Sequence, residues 1–303
     1  MALEAIDPLP RTRRGWILLG ILAAVIATAF VIVVRFYNVE GGSRVEGGLQ
    51  SADQGGVVAN LEPLAVNADE GTARIHVTLA DRGSGLVGED ERLTQNLRLT
   101  LTTGLGPVEV KFPQGSLLGQ TEIVVRLTGE SAAYPFDEHG AFMAAEADGY
   151  EEGSDGSLVS TGTVPMGLEG SGGVNGWDTT MTLTEGFREQ ASAGLAFERA
   201  FSTTAFALLM LVVAGVLGLL ALIVGLRAFA GRRTTEAAML GWSAALLFAL
   251  PTLRNYLPNG PPFGAAIDMY AFLWIMVAAG VAAVLLILAY SAQSVAGRRG
   301  TRG

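Results

Sequence analysis

Cysteine is absent from all 303 residues, histidine occurs twice (His76 and His139) and lysine once (Lys111). Without cysteine there is no disulfide framework, no thiol nucleophile and no cysteine metal site. Neither histidine has a metal-ligand neighbour at helical or hairpin spacing apart from Asp137 and Glu138, and three adjacent residues cannot all face one ion. Catalytic sets are also missing: there is no HExxH, no Ser/His/Asp constellation and no paired-acid cleft. The glycine-rich stretch Gly167-Leu168-Glu169-Gly170-Ser171-Gly172-Gly173 has no lysine, and Gly241-Trp242-Ser243-Ala244 lacks the second glycine of a nucleophile elbow. The acidic stretch Asp148–Asp155 fails as a calcium loop, because position 3 would be Tyr150 and position 12 Val159. The sequence thus predicts no enzyme, no cofactor and no bound metal.

What the chain does have is apolar length. Four runs, 16–35, 201–227, 237–257 and 269–291, each reach the roughly 20 residues a helix needs to cross a hydrocarbon core of about 30 Å. Backbone groups in lipid must bond internally, so the runs predict four transmembrane helices. Arginine placement sets the threading. Arg11, Arg13 and Arg14 precede the first run, Arg227, Arg232 and Arg233 separate the second from the third, and Arg298, Arg299 and Arg302 follow the fourth. Basic residues beside short loops stay on the cytoplasmic side. The expected topology is a multi-pass plasma-membrane protein with cytoplasmic tails at 1–15 and 292–303. Residues 36–200 and the Pro-rich loop 258–268 then lie outside. Thr12-Arg13-Arg14-Gly15-Trp16-Ile17-Leu18 with Ala27-Thr28-Ala29 offers a competing cleavable leader, but the apolar run continues through Val34, which favours an uncleaved anchor.

Charge is segregated. Residues 36–198 hold 25 of the 29 acids but only eight bases, a net charge of −17 in a chain whose total is −9. Such a surface excludes nucleic acid and docking on anionic headgroups, both of which call for basic patches. Period-two alternation dominates this outer block: Ile75, Val77 and Leu79 alternate with polar residues, as do Leu97, Leu99 and Leu101, and Val108, Val110 and Phe112. Further strands are expected at 57–66, 122–127, 141–145, 158–164, 179–183 and 190–197, with 38–56 a linker and 166–176 a loop. Eight or nine short strands predict an all-β sandwich inserted between the first and second transmembrane helices. The last strand runs into the second helix at Glu198 and Arg199, a rigid joint.

Two constellations stand out as interface or coupling candidates. Tyr134-Pro135-Phe136-Asp137-Glu138-His139 presents two rings on a proline-restrained turn, suited to docking on helix ends or to plugging the base of the sandwich core. The second lies in the membrane part: Arg254 and Asn255 end the third run, Pro261 and Pro262 stiffen the loop, and Asp268 opens the fourth run at a matching depth. Arg254 and Asp268 pair across the hairpin or snorkel separately to headgroups. Small residues recur every four positions at Gly20, Ala24 and Thr28, at Ala214 and Gly218, at Ala221 and Gly225, and at Ala279 and Ala283. They permit close helix contact within one chain or between copies.

On Tyr134-Pro135-Phe136-Asp137, the strand entering Arg199, Leu253-Arg254-Asn255, Pro261-Pro262-Phe263-Gly264, Asp268 and Trp274, the chain resembles the membrane proteins grouped as domain of unknown function 4436, common in actinobacteria. The similarity is expected to run from the first span to the fourth. It implies four spans and an extracytoplasmic domain, and it supplies no activity. The chain is also similar, in architecture, to pentameric ligand-gated channels, in which a Pro-Phe-Asp loop, an arginine at the end of the last strand and an outer loop follow the same order as Pro135–Asp137, Arg199 and 255–267. It departs from them in its extra first span, and its third span offers only Ser243 and Thr252 as polar pore candidates. The sequence therefore favours a non-enzymatic membrane protein whose acidic domain binds a protein or cell-envelope partner, or a further copy of the chain. The alternative is a ligand-responsive channel or sensor.

Overall fold

The computed structural model describes residues 43–50, 53, 55–153 and 157–300, with scattered positions between 16 and 35. Alternating residues build twelve strands among them: β1 (Ser43–Gly47), β2 (Gly56–Asn67), β3 (Thr72–Arg82), β4 (Leu97–Thr103), β5 (Gly106–Phe112), β6 (Gln120–Arg126), β7 (Thr128–Gly129), β8 (Glu138–Glu152), β9 (Leu158–Val164), β10 (Met166–Gly170), β11 (Trp177–Leu183) and β12 (Gln190–Arg199). One sheet has the order β1-β11-β12-β8-β4-β5, with β7 and β9 also pairing with β8, and the other has the order β10-β2-β3-β6. Ala73, Ile75 and Val77 of β3 and Leu97, Leu99 and Leu101 of β4 are buried in one core with Met181, Leu195 and Phe197. Each fully buried aliphatic side chain there contributes about 1.5–3 kcal/mol relative to exposure.

Three expectations need correction. The expected linker 38–56 contains β1, which pairs in parallel with β11 through backbone alone while most of its side chains stay exposed, so no apolar pattern announced it. The expected loop 166–176 contains β10, parallel to β2 with Met166, Gly167 and Leu168 buried. Its glycines are packing residues: a Cβ at Gly170 would come 2.7 Å from Met181 Sδ, and one at Gly167 2.6 Å from the Leu49 side chain. The strand expected at 141–145 extends over fifteen residues as β8, and its acidic end is no free loop. There Arg98 on β4 grips Asp148 with Nε and Nη2 at 3.1 and 2.8 Å.

Three helices long and apolar enough to cross a membrane follow the sandwich among the described residues. They are α1 (Phe201–Phe229), α2 (Ala237–Asn255) and α3 (Leu273–Gly300), the last preceded by a wide π turn at Asp268–Phe272. The expected first span, 16–35, lies largely outside the described residues; Trp16, Phe30 and Val34 belong to its described positions and are helical and exposed. The small residues of α1 meet α3 of the same chain. A Cβ on Gly225 would lie 2.9 Å from the Ala282 carbonyl oxygen, and one on Gly218 would lie 3.0 Å from Ile275 Cγ2. The helices approach closely because nothing but hydrogen projects at these points. Gly225→Val should therefore push α1 off α3 and cost about 1–3 kcal/mol, the usual penalty of overpacking. Thermal unfolding in detergent checks this, with Gly241→Ala as the control: that position has no atom within 4 Å of a built Cβ, and its midpoint should not fall.

Candidate functional site at the joint of sandwich and helices

Strand register builds this site. Trp177 faces Arg199 across β11 and β12; one residue on, Asp178 faces Glu198, which faces Glu138; one further, Thr179 faces Phe197, which faces His139. Successive side chains alternate between sheet faces. Trp177, Arg199, Phe197 and His139 accordingly turn inward and are buried, while Asp178, Glu198 and Glu138 turn outward and are exposed.

Asp137 sits just before β8 and is 1% exposed. Arg199 donates to it twice, Nε to Oδ1 and Nη2 to Oδ2, each at 2.9 Å, and His139 Nε2 lies 2.9 Å from the same Oδ2. The guanidinium carbon is 4.1 Å from the centre of the Trp177 ring and 4.9 Å from that of Tyr134, and His139 stands edge-on to Trp177. Arg199 Nη1 is buried without a hydrogen-bond partner among the described residues, so the ring faces provide much of that cation's surroundings. This is a two-pronged ion pair sealed from water at the point where the sheet ends.

The pair is tied to the helices on two sides. Only Ala200 separates β12 from α1, and its N–H donates to Gly176 O at 3.1 Å. Thr203 Oγ donates to the same carbonyl at 3.3 Å, and Thr204 Oγ donates to Pro135 O at 3.1 Å. Gly176 has φ +81°, and a Cβ there would lie 2.9 Å from Thr203 Oγ and 3.1 Å from Asn259 Nδ2, so only glycine fits between α1 and the loop that follows α2. Tyr134, joined to Pro135 by a cis peptide, donates its hydroxyl to Pro258 O at 3.1 Å and packs with Leu257, Ala265 and Phe272. Burial pushes its phenol up to about 12; Arg199 opposes the rise, Asp137 adds to it, and Arg254 opposes it.

At the end of the helices nearest the sandwich, Arg254 donates Nε to Asp268 Oδ1 at 3.0 Å and Nη2 to Asp268 Oδ2 at 2.6 Å and to Pro262 O at 2.9 Å. Asp268 Oδ2 also accepts the Gly264 N–H at 3.1 Å. Pro261 is buried beside this knot, and Asn255 is exposed. The structure thus brings Tyr134, Pro135, Asp137 and Arg199 into one cluster and Arg254, Pro262 and Asp268 into a second, with the Tyr134 contact to Pro258 between them. Phe136 stands apart: it is 67% exposed, so the two rings do not form one knob. Sequence reasoning missed His139, Trp177, Gly176 and Pro258. His139 was weighed as a metal ligand and as the end of the Tyr134 turn and not as a partner of Asp137, although it stands two residues away, the spacing that puts extended neighbours on one face.

Two family models divide the chain at this joint. One, described as Domain of unknown function (DUF4436), matches residues 46–192. The sandwich is a DUF4436 domain. The other, described as Domain of unknown function (DUF8686), matches residues 199–293 and takes in all three described membrane-type helices. The Arg254 to Asp268 hairpin therefore falls within the second match, whereas the expected similarity placed it in the first family. A search of curated proteins returns no match. Asp137 lies in the DUF4436 domain and Arg199 is the first residue of the DUF8686 match, so the buried ion pair fastens one to the other.

Removing one member of a buried pair leaves an uncompensated charge. Arg199→Met or Asp137→Asn alone should each lower stability by about 3–5 kcal/mol. The double variant should lose clearly less than the sum, and denaturant unfolding of the four proteins decides it, since strict additivity would show that the two residues act independently. The tyrosine gives a separate readout. Its folded pKa of about 12 lies above the unfolded value near 10, so the stability it confers is complete below about pH 10 and is lost as pH rises through 12. Alkaline absorbance titration should show one of the six tyrosines ionising last, and Tyr134→Phe should abolish that step.

Proposed function

We propose that the chain is a non-enzymatic plasma-membrane protein that crosses the bilayer four times. Both termini are cytoplasmic, and the acidic DUF4436 domain captures a cationic protein or cell-envelope partner outside. The observation that carries this reading is the exposed row Asp178, Glu198 and Glu138, laid side by side across β11, β12 and β8. Like charges directly opposite on neighbouring strands destabilise a sheet, and Glu198 lies directly opposite Glu138, so the fold maintains that pair at a cost to its own stability. A basic partner relieves that repulsion. Asp137 is the only buried acid among the described residues; the remaining acids leave the surface strongly negative. The joint lies one residue behind the row on the same three strands, which couples a partner's arrival to the Asp137–Arg199 pair and through Tyr134 to the outer loop. Sidedness supports the threading: Pro258 and Asn259 touch the sandwich side, while Arg232 and Arg233 lie between α1 and α2 at the opposite helix ends.

The same joint supports a second reading, a ligand-responsive sensor or channel, because Pro135–Asp137, Arg199 and the outer loop occur in the order seen in pentameric ligand-gated channels. The pore is its weak point. Ser243 is 4% exposed within a single chain and donates to Leu240 O, and Thr252 donates to Phe248 O. Ser243 is buried, and the exposed Thr252 by itself is not the polar stripe that a water-filled path needs.

A photo-crosslinking residue in place of Thr180, beside the row, tests both readings in native membranes. The partner reading expects a heterologous adduct that disappears at high salt and in the Asp178→Asn/Glu198→Gln/Glu138→Gln variant. Adducts only between copies, in a symmetric ring with a central passage, would replace it with the channel reading.

A further inference from the structure

The ends of α2 and α3 nearest the sandwich bound a groove of about 490 Å³ lined by Pro251, Phe272, Leu273 and Met276 and by the polar Arg254, Asn255 and Asp268. Phe263 lines it, and Tyr256, Tyr270 and Trp274, close in sequence to its other lining residues, are exposed; aromatics of this kind are enriched at the level of lipid headgroups. Arg254 is 8% exposed, and two of its three nitrogens are engaged by Asp268 and Pro262. Its Nη1 has no hydrogen-bond partner among the described residues and is not one of the sealed, unpartnered atoms of the structure. A nearly buried donor without a partner among the described residues thus belongs to a side chain that lines the groove, with the centre of the Phe263 ring 4.4 Å from its guanidinium carbon. Asn255, next in sequence and exposed, adds an amide donor with no partner among the described residues.

We propose that this groove is a binding site for one outer-leaflet glycerophospholipid. Arg254 Nη1 and the Asn255 amide donate to its phosphodiester oxygens, and one acyl chain lies along Leu273 and Met276. The chemistry selects a phosphate-bearing lipid over a neutral one. Asp268 already balances the arginine's charge, so recognition rests on hydrogen bonds that a phosphodiester accepts and that a diacylglycerol cannot accept there. The wide turn at Asp268–Phe272 shapes the wall: a tighter helix would carry Phe272 and Leu273 round to another face. The proposal goes beyond the partner-binding reading, since lipid occupancy does not depend on what the sandwich captures.

The test compares two probes on the full-length protein in nanodiscs. One is phosphatidylglycerol carrying a diazirine near the chain terminus; the other is diacylglycerol with the same chain. Phosphatidylglycerol should label peptides containing Leu273 and Met276. The diacylglycerol adduct at those residues should be about thirtyfold weaker, the worth of two hydrogen bonds at about 1 kcal/mol each. Leu273→Trp, which fills the groove, should remove the adduct, and Asn255→Leu, which removes one of the two bonds, should reduce it about fivefold while leaving thermal stability unchanged. Equal labelling by the two probes, or labelling spread evenly over the lipid-facing surfaces of α1, α2 and α3, would overturn the site. So would a disulfide between Met276→Cys and a cysteine placed in 28–34, or between two Met276→Cys chains, either of which would show the groove filled by protein. The chain has no native cysteine to confuse that readout.

Discussion

The clasp of Arg199 on Asp137 is the constraint from which the rest of the molecule follows. It joins the last residue of the sandwich's final strand to the residue just before its longest one, and both side chains are buried. A pair so placed is poor evidence of stability by itself, since desolvation offsets much of the attraction. Its value is geometric. Two parallel bonds and two aromatic faces allow one orientation of the guanidinium, and that orientation fixes where the chain enters the helix.

The clasp also organises its surroundings by alternation. Because each strand flips faces at every residue, the row that carries the ion pair forces its neighbours outward, and these are three carboxylates. Interior anchor and exterior charge are two faces of one register and cannot be changed independently: a slip of one residue would bury the acids and expose the arginine. The proposed binding row and the buried joint therefore share a structural origin in β8, β11 and β12.

Much of this could be read from residues alone. Strong alternation, as at Ile75 to Leu79 or Leu97 to Leu101, marks strands that bury one face, and strand 158–164 falls at the expected bounds. The apolar runs after Arg199 are helices. Where side chains do not take part in the core, the reading failed: β1 is held by backbone pairing at an edge, and β10 uses glycines to let Met181 and Leu49 approach, which in sequence looks like a loop. The site was legible in its parts and not in its wiring. Tyr134, Asp137, Arg199, Arg254 and Asp268 stood out by type and position, but the contact of Tyr134 with the Pro258 carbonyl spans 124 residues and involves a backbone atom. Nothing local encodes it. Phe136 misled because adjacency in sequence was taken for adjacency in space, whereas neighbouring residues of a turn diverge.

Ala200 alone stands between the sheet and α1. With so short a hinge the pleat of β12 dictates the azimuth of the helix: one added residue would swing every side chain of α1 by about 100° around its axis, turning Gly218 and Gly225 away from α3. At this point the length of the polypeptide matters to the fold as much as the letters that fill it.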